Sequence, residues 1–140
     1  MGSDKGVVKV LLDTNTLILA TKLGMNIFKA VEDALLFKCS FYILDETLEE
    51  IERLKEKSSS YNVRVLNRAL NYAKRCNVLK YKRILGENVD DLILRVAYEN
   101  KPIIVITNDQ ELRSRLKRLG VTVGYIDIKA KIVKVLGFWT

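Results

Sequence analysis

The chain has 140 residues, 24 Lys and Arg against 17 Asp and Glu, a net charge of +7, two Cys and no His. Without His, no Ser-His or Cys-His nucleophilic pair can form, no imidazole can act as general base, and two Cys cannot make a four-Cys zinc site. An enzyme built from this chain needs another way to make a nucleophile near neutral pH, and a metal ion held by carboxylates is the leading one.

In chain order, Val7 to Leu12 is a short β-branched run that predicts a buried strand. It stops at Asp13-Thr-Asn15, a turn and cap cluster. Leu17 to Leu23 and Met25 to Phe37 predict two helices broken near Gly24. Phe41 to Leu44 is a second strand, after which Asp45 is placed to cap a helix from about Glu46 to Lys57. Ser58-Ser-Ser60 reads as a loop. Tyr61 to Cys76 puts Val65, Leu66, Ala69, Leu70 and Ala73 on one face, an amphipathic helix. Val78-Leu79 with Tyr81 is a short third strand, and Gly86 to Asn88 a turn. Asp90 to Asn100 is a helix. Pro102 opens a strong strand, Ile103 to Ile106, which ends in Thr107-Asn-Asp109. Gln110 to Leu119 is a basic helix closed by Gly120. Val123 to Ile128 is a fifth strand, and Ile132 to Leu136 a last extended piece.

This alternation predicts a three-layer α/β/α sandwich with a mostly parallel sheet of about five strands. Residues 1–6 read as a tail, with Gly2-Ser3 a cloning remnant, and residues 7–140 as a single domain. No apolar run approaches the ~20 residues of a membrane helix, and the start lacks the apolar centre of a signal peptide. The expectation is therefore a cytoplasmic protein with Cys39 and Cys76 reduced and buried. The positive charge points to an anionic partner, with nucleic acid the commonest choice, although many soluble proteins are basic without one.

In open parallel sheets the ligand site lies beyond the carboxyl ends of the strands. Two of the best strands end there in Asp: Asp13 and Asp109. If those strands are neighbours, both carboxylates meet at one edge and could share a metal, but two helix caps would account for them equally well. Glu50 borders the apolar stripe Leu48, Ile51, Leu54 of its helix, while Glu49, Glu52 and Glu56 point more outward. Any one of these Glu fits a solvated acidic helix. Asp90-Asp91 opens a helix, where carboxylates favour the dipole, and simple capping explains it. Together the four segments can converge on one cleft, and oxygen-only ligands suit Mg²⁺ or Mn²⁺.

These segments carry a family likeness. Val10-Leu-Leu-Asp13-Thr-Asn15-Thr-Leu-Ile18, Glu50-Ile-Glu-Arg-Leu54, Asp90-Asp-Leu-Ile93 and Ile106-Thr-Asn-Asp109-Gln-Glu-Leu112-Arg113 resemble the PIN (PilT N-terminus) domain nucleases, over about Val8 to Ile128. The wording is most similar to archaeal relatives of the ribosomal-RNA-processing PIN nucleases, and the VapC toxins of toxin–antitoxin pairs share the core. The resemblance implies a Mg²⁺- or Mn²⁺-dependent endoribonuclease leaving 5′-phosphate and 3′-hydroxyl ends. Its acidic set falls on Asp13, Glu50, Asp90 and Asp109, with Asp91 as a supplement or as the true ligand in place of Asp90. Asn15 and Thr107 or Asn108 would support the site by hydrogen bonding. The partners implied are RNA, a second copy of the chain, and an antitoxin or a ribosome-assembly factor. A binding factor that has lost catalysis is the alternative from another class.

Basic residues flank these acids. Arg113, Arg115, Lys117 and Arg118 follow Asp109, and Lys80, Lys82 and Arg83 precede Asp90. They read as phosphate contacts or as solvated helix faces. Tyr61, Tyr81 and Trp139 could stack on bases, though packing is their commoner role.

Overall fold

A computed structural model describes residues 7–136, leaving aside the side chains of Ser60 and Tyr61. Residues 1–6, the side chain of Tyr61 and Trp139 therefore lie outside the described residues. The order is β1 (Val8–Leu12), α1 (Thr14–Lys22), α2 (Ile27–Leu35), β2 (Cys39–Leu44), α3 (Asp45–Glu56) and α4 (Ser60–Lys74). Then follow β3 (Asn77–Leu79), α5 (Val89–Glu99), β4 (Ile104–Ile106), α6 (Gln110–Arg118), β5 (Thr122–Asp127) and β6 (Ile132–Leu136).

The strands form one sheet in the order β3-β2-β1-β4-β5-β6. All neighbours are parallel except β5 and β6. The expected last extended piece is thus a sixth full strand. A tight turn makes it possible: Asp127 accepts from Ala130 N at 3.0 Å, and Lys131 takes a left-handed φ of 55° while its amide bonds Asp127 O at 2.8 Å.

The apolar runs of β1 and β4 alternate between two cores. Val10, Leu12, Ile104 and Ile106 join Leu17, Ile27, Val31, Leu66 and Ala69 on the side of α1, α2 and α4. Leu11, Ile103 and Val105 join Leu92, Val96, Leu112 and Leu116 on the side of α5 and α6. Burial on both faces is why these strands lack a polar alternation, and the result is the expected helix–sheet–helix layering.

Several boundaries move for local reasons. The helix after β1 begins at Thr14, not Leu17, so the chain passes from strand to helix at Asp13 with no intervening loop. α2 begins at Ile27 because Asn26 caps it, accepting from Lys29 N at 3.2 Å. Asp45 is not the cap of α3: it is the first helical residue, and its carboxylate instead accepts from Tyr81 N at 3.3 Å. Gly120 does close α6, at φ 79°. Both cysteines are free thiols, Cys76 buried but Cys39 only partly so, and burial pushes the Cys76 thiol up to about 12.

Candidate active site

β1 and β4 are adjacent, with Leu12 opposite Ile106, so the residues that follow them share the carboxyl edge of the sheet. The order reverses here as well: the chain leaves β1 for β2 on one side and later returns to β4 on the other. This is the switch point where open α/β sheets place their ligands.

Asp13 stands at the N-cap position of α1 yet makes no side-chain capping bond. Its carboxylate instead accepts from the Thr107 hydroxyl at 2.8 Å, and its amide bonds Ile106 O at 3.2 Å. The Thr107 oxygen also accepts from Asp109 N at 3.1 Å. Thr107 is fully buried, so one hydroxyl ties together the ends of β1 and β4. Asp109 does cap a helix, its Oδ1 accepting from Leu112 N at 3.0 Å. Capping thus accounts for Asp109 in part and for Asp13 not at all.

The electrostatics draw Asp90 into the same group. Burial, and then the charges of Asp90 and Asp109, hold Asp13 above the ordinary carboxylate value, against the lowering effect of Thr107. Burial and the charge of Asp109 likewise raise Asp90. Asp91 behaves in the opposite way. With Asn88 it forms a capping box on α5, at 2.8 and 3.1 Å, and Arg115 donates to it at 3.0 Å. These bonds lower its pKa. The doubled Asp is therefore divided between two tasks, one carboxylate near the acidic group and one holding the helix.

Beside Asp13 opens a cleft of about 180 Å³, lined among others by Thr14, Asn15, Glu46, Thr47, Glu50, Arg83 and Val89. Glu50 forms its far wall and pairs with Arg53 one turn along the helix. Asn15 is exposed on the rim. Asn108 faces away from the acids: its carboxamide donates to Ile126 O at 2.9 Å and accepts from Ile126 N at 2.8 Å, splinting β5. Glu46 and the hydroxyls of Thr14 and Thr47, bonded to each other at 2.8 Å, were not among the expected site residues. Glu46 lies at a helix start, where an acid is unremarkable in sequence; only the neighbouring loop reveals its position.

The basic residues divide similarly. The Arg113 guanidinium donates to Thr107 O at 2.9 Å and stacks 4.5 Å from the Tyr125 ring centroid, and Arg115 is engaged by Asp91. Both brace the site from behind. Lys80, Lys82, Lys117 and Arg118 are exposed. Arg83 reaches across the cleft mouth to Glu46. Tyr81 packs rather than stacks: it lies against the α5–α6 core and accepts from Asn100 at 3.0 Å.

The donor set is entirely oxygen, which fits Mg²⁺ or Mn²⁺ and does not favour zinc. Of the expected acids only Asp13 and Glu50 line this cleft, with Asp90 and Asp109 outside its lining, and no group of three or more ligand-type side chains among the described residues is already drawn together. Asp13 and Asp90 are raised first by burial and then by each neighbouring acid's charge, and a divalent cation would favour their ionised forms.

The chain is an α/β sheet with acidic residues near its switch point, and sequence comparison makes the class specific. The profile of the PIN-like domain matches residues 10–129, and the chain belongs to that family, among nucleases related to rRNA-processing proteins and VapC. It is 34% identical to ribonuclease VapC4 of Methanocaldococcus jannaschii, over 82% of this chain and 87% of that protein. It is 30% identical to the human rRNA-processing protein FCF1 homologue over 84% of this chain, but spans only 56% of that protein's length. The solved PIN domain endonuclease Utp24 superposes with a TM-score of 0.74, at 24% identity over 91% of this chain and 90% of that one, which shows the shared fold. Among the described residues no helix is long and apolar enough to cross a membrane.

Proposed function

We propose that this chain is a Mg²⁺- or Mn²⁺-dependent endoribonuclease acting in RNA processing, with Asp13, Asp90 and Asp109 as the principal ligand carboxylates and Glu50 completing the set. The observation that carries this reading is the buried Thr107 bridge, which binds Asp13 and Asp109 into one unit in electrostatic contact with Asp90. When bound, the cation would supply Lewis acidity, lowering the pKa of water and offsetting charge on the leaving oxygen.

The chain's own residues prepare for this. Thr107 fixes the rotation of the Asp13 carboxylate. The α6 cap fixes Asp109 through Oδ1, and its carboxylate would hold the cation alongside that bond. Asp91 holds the first turn of α5, and so the backbone that carries Asp90, without being a ligand itself. Arg83, Lys80, Lys82 and Lys117 would meet backbone phosphates, giving salt-dependent and largely sequence-independent binding.

The test is cleavage of single-stranded RNA in Mn²⁺ and in EDTA. Cleavage in Mn²⁺ alone, with 5′-phosphate and 3′-hydroxyl ends, is expected. It should be lost in Asp13→Asn with Asp109→Asn and in Asp90→Asn, and kept in Asp91→Asn at a temperature where that variant is folded. A 2′,3′-cyclic phosphate product overturns the chemistry, and full activity of the double variant overturns the site. A toxin role is the second reading, favoured by the near full-length match to VapC4. In that case expression of the chain arrests growth, Asp109→Asn relieves the arrest, and a partner antitoxin restores growth.

A further inference from the structure

The ion pair at the cleft mouth is not needed to shape the loop that carries it. Residues 80–88 are held at both ends by other contacts. Tyr81 N donates to Asp45 at 3.3 Å. Arg95 on α5 donates to Lys82 O at 2.9 Å and to Glu87 at 2.8 and 3.0 Å. Glu87 in turn accepts from Ile84 N at 2.8 Å. Arg83 stands between these anchors, and its side chain alone extends over the cleft.

Its partner is also unusually placed. Arg83 grips Glu46 in a fork, Nε at 2.9 Å and Nη2 at 2.7 Å. Glu46 lines the same cleft as Asp13 and Glu50, where another negative charge is electrostatically unfavourable. A forked guanidinium–carboxylate pair has the geometry of a guanidinium–phosphodiester pair, because both anions offer two oxygens in a plane. The pair is part-exposed, with side chains 44% and 23% accessible, so it can exchange partners without unfolding its surroundings.

We infer that Glu46 is an internal stand-in for a substrate phosphate: it occupies Arg83 in the free protein, and an RNA phosphodiester displaces it at the cleft mouth. This rests on the ribonuclease reading above for the identity of the ligand. RNA binding then carries the cost of breaking the Arg83–Glu46 pair, and only a strand that reaches the mouth recovers it. Glu46 is thus a positioning residue that sets a threshold on binding.

A binding cycle in EDTA tests this apart from cleavage, using a fluorescein-labelled single-stranded 20-mer of mixed sequence and the full chain. Arg83→Gln should weaken binding about 5-fold and flatten the log–log salt dependence by about 0.7, the contribution of one phosphate on a single strand. Glu46→Gln should tighten binding about 3-fold. In the Arg83→Gln background the Glu46→Gln change should have no effect, because it acts only by freeing Arg83. Equal tightening in both backgrounds would mean that Glu46 acts only as a repulsive charge, and overturns the inference. So does unchanged binding in both single variants with lowered melting temperatures, the signature of a structural staple. Binding that follows the cycle without any metal-dependent cleavage would uphold the exchange and refute the nuclease reading; no RNA binding at all refutes both.

Discussion

The Thr107 hydroxyl donates to Asp13 and accepts from the Asp109 amide, so removing it unsettles two acids at once. Thr107→Val keeps the shape and deletes the oxygen. It leaves the Asp109 amide without its partner and removes one donor to the Asp13 carboxylate, at a side chain with no solvent access. A buried group left unsatisfied costs about 1–3 kcal/mol. The expected result is an unfolding free energy from urea titration lowered by that amount, with Mn²⁺-dependent cleavage falling at least tenfold because the Asp13 carboxylate is free to rotate. Wild-type cleavage in Thr107→Val would show that the rotation of Asp13 does not matter. The sequence offers Thr107 only as one of two neighbours, Thr107 or Asn108, either of which could bond to the site. The alternative is decided by β5, which takes both ends of the Asn108 carboxamide. That pairing is set by which strands become neighbours and is invisible in the local sequence.

At the level of elements, the strands and helices were legible because the apolar runs are short, dense and punctuated. The missed features are those made by distant partners: the hairpin turn that recruits β6, and the loop that draws Asp45 away from capping. Gly124 on β5 is a sharper example. A Cβ there would lie 2.7 Å from Lys134 O and 2.9 Å from the Ile106 side chain, so the strand tolerates only glycine between β4 and β6. Gly124→Ala should cost about 1–3 kcal/mol by overpacking, read as a lowered melting temperature. An unchanged melt would mean that β6 can move aside freely. The loop 80–88 has its own signature. Arg95 and the Ile84 amide hold the Glu87 carboxyl down to about 2, against an ordinary 4.5. A depressed carboxyl stabilises the fold above its unfolded value and loses that contribution as pH falls through the folded one. Glu87→Gln should therefore be less stable than wild type at pH 7, with the gap closing between about pH 4.5 and 2. A gap that persists at pH 2 would assign the loss to packing instead.

Across the whole molecule, the acidic centre works against the fold that carries it. Burial and Asp109 raise Asp90 above its ordinary 3.8. A raised carboxyl favours the folded state fully below its unfolded value, and the benefit disappears as pH rises through the folded value. Near neutrality the ionised cluster is therefore a burden. In EDTA at pH 7, Asp90→Asn should melt above wild type, and the two should converge as pH falls below 3.8. Mn²⁺ should raise the wild-type melt more than that of the variant. A variant less stable than wild type at every pH would remove the strain. Part of the net charge of +7 is carried by exposed residues such as Lys82, Lys117 and Arg118. The absence of His narrowed the chemistry to carboxylates from the outset. That Asp91 rather than Asp90 is taken up by a capping box and by Arg115 could be seen only in space.

The anchoring of residues 80–88 has a consequence for how such a protein can change over time. Asp13 and Asp109 sit where strands end and helices begin, and Asp90 in the first turn of α5, which its own capping box holds. The mouth of the cleft hangs from α5 by Arg95 and from α3 by Asp45. Inheritance can therefore rewrite the mouth while these acids are left alone. A lineage that keeps Asp45, Glu87 and Arg95 can exchange residues 82–86, which lie between the anchors on the loop, and so alter the cleft mouth while the proposed ligand acids stay in place.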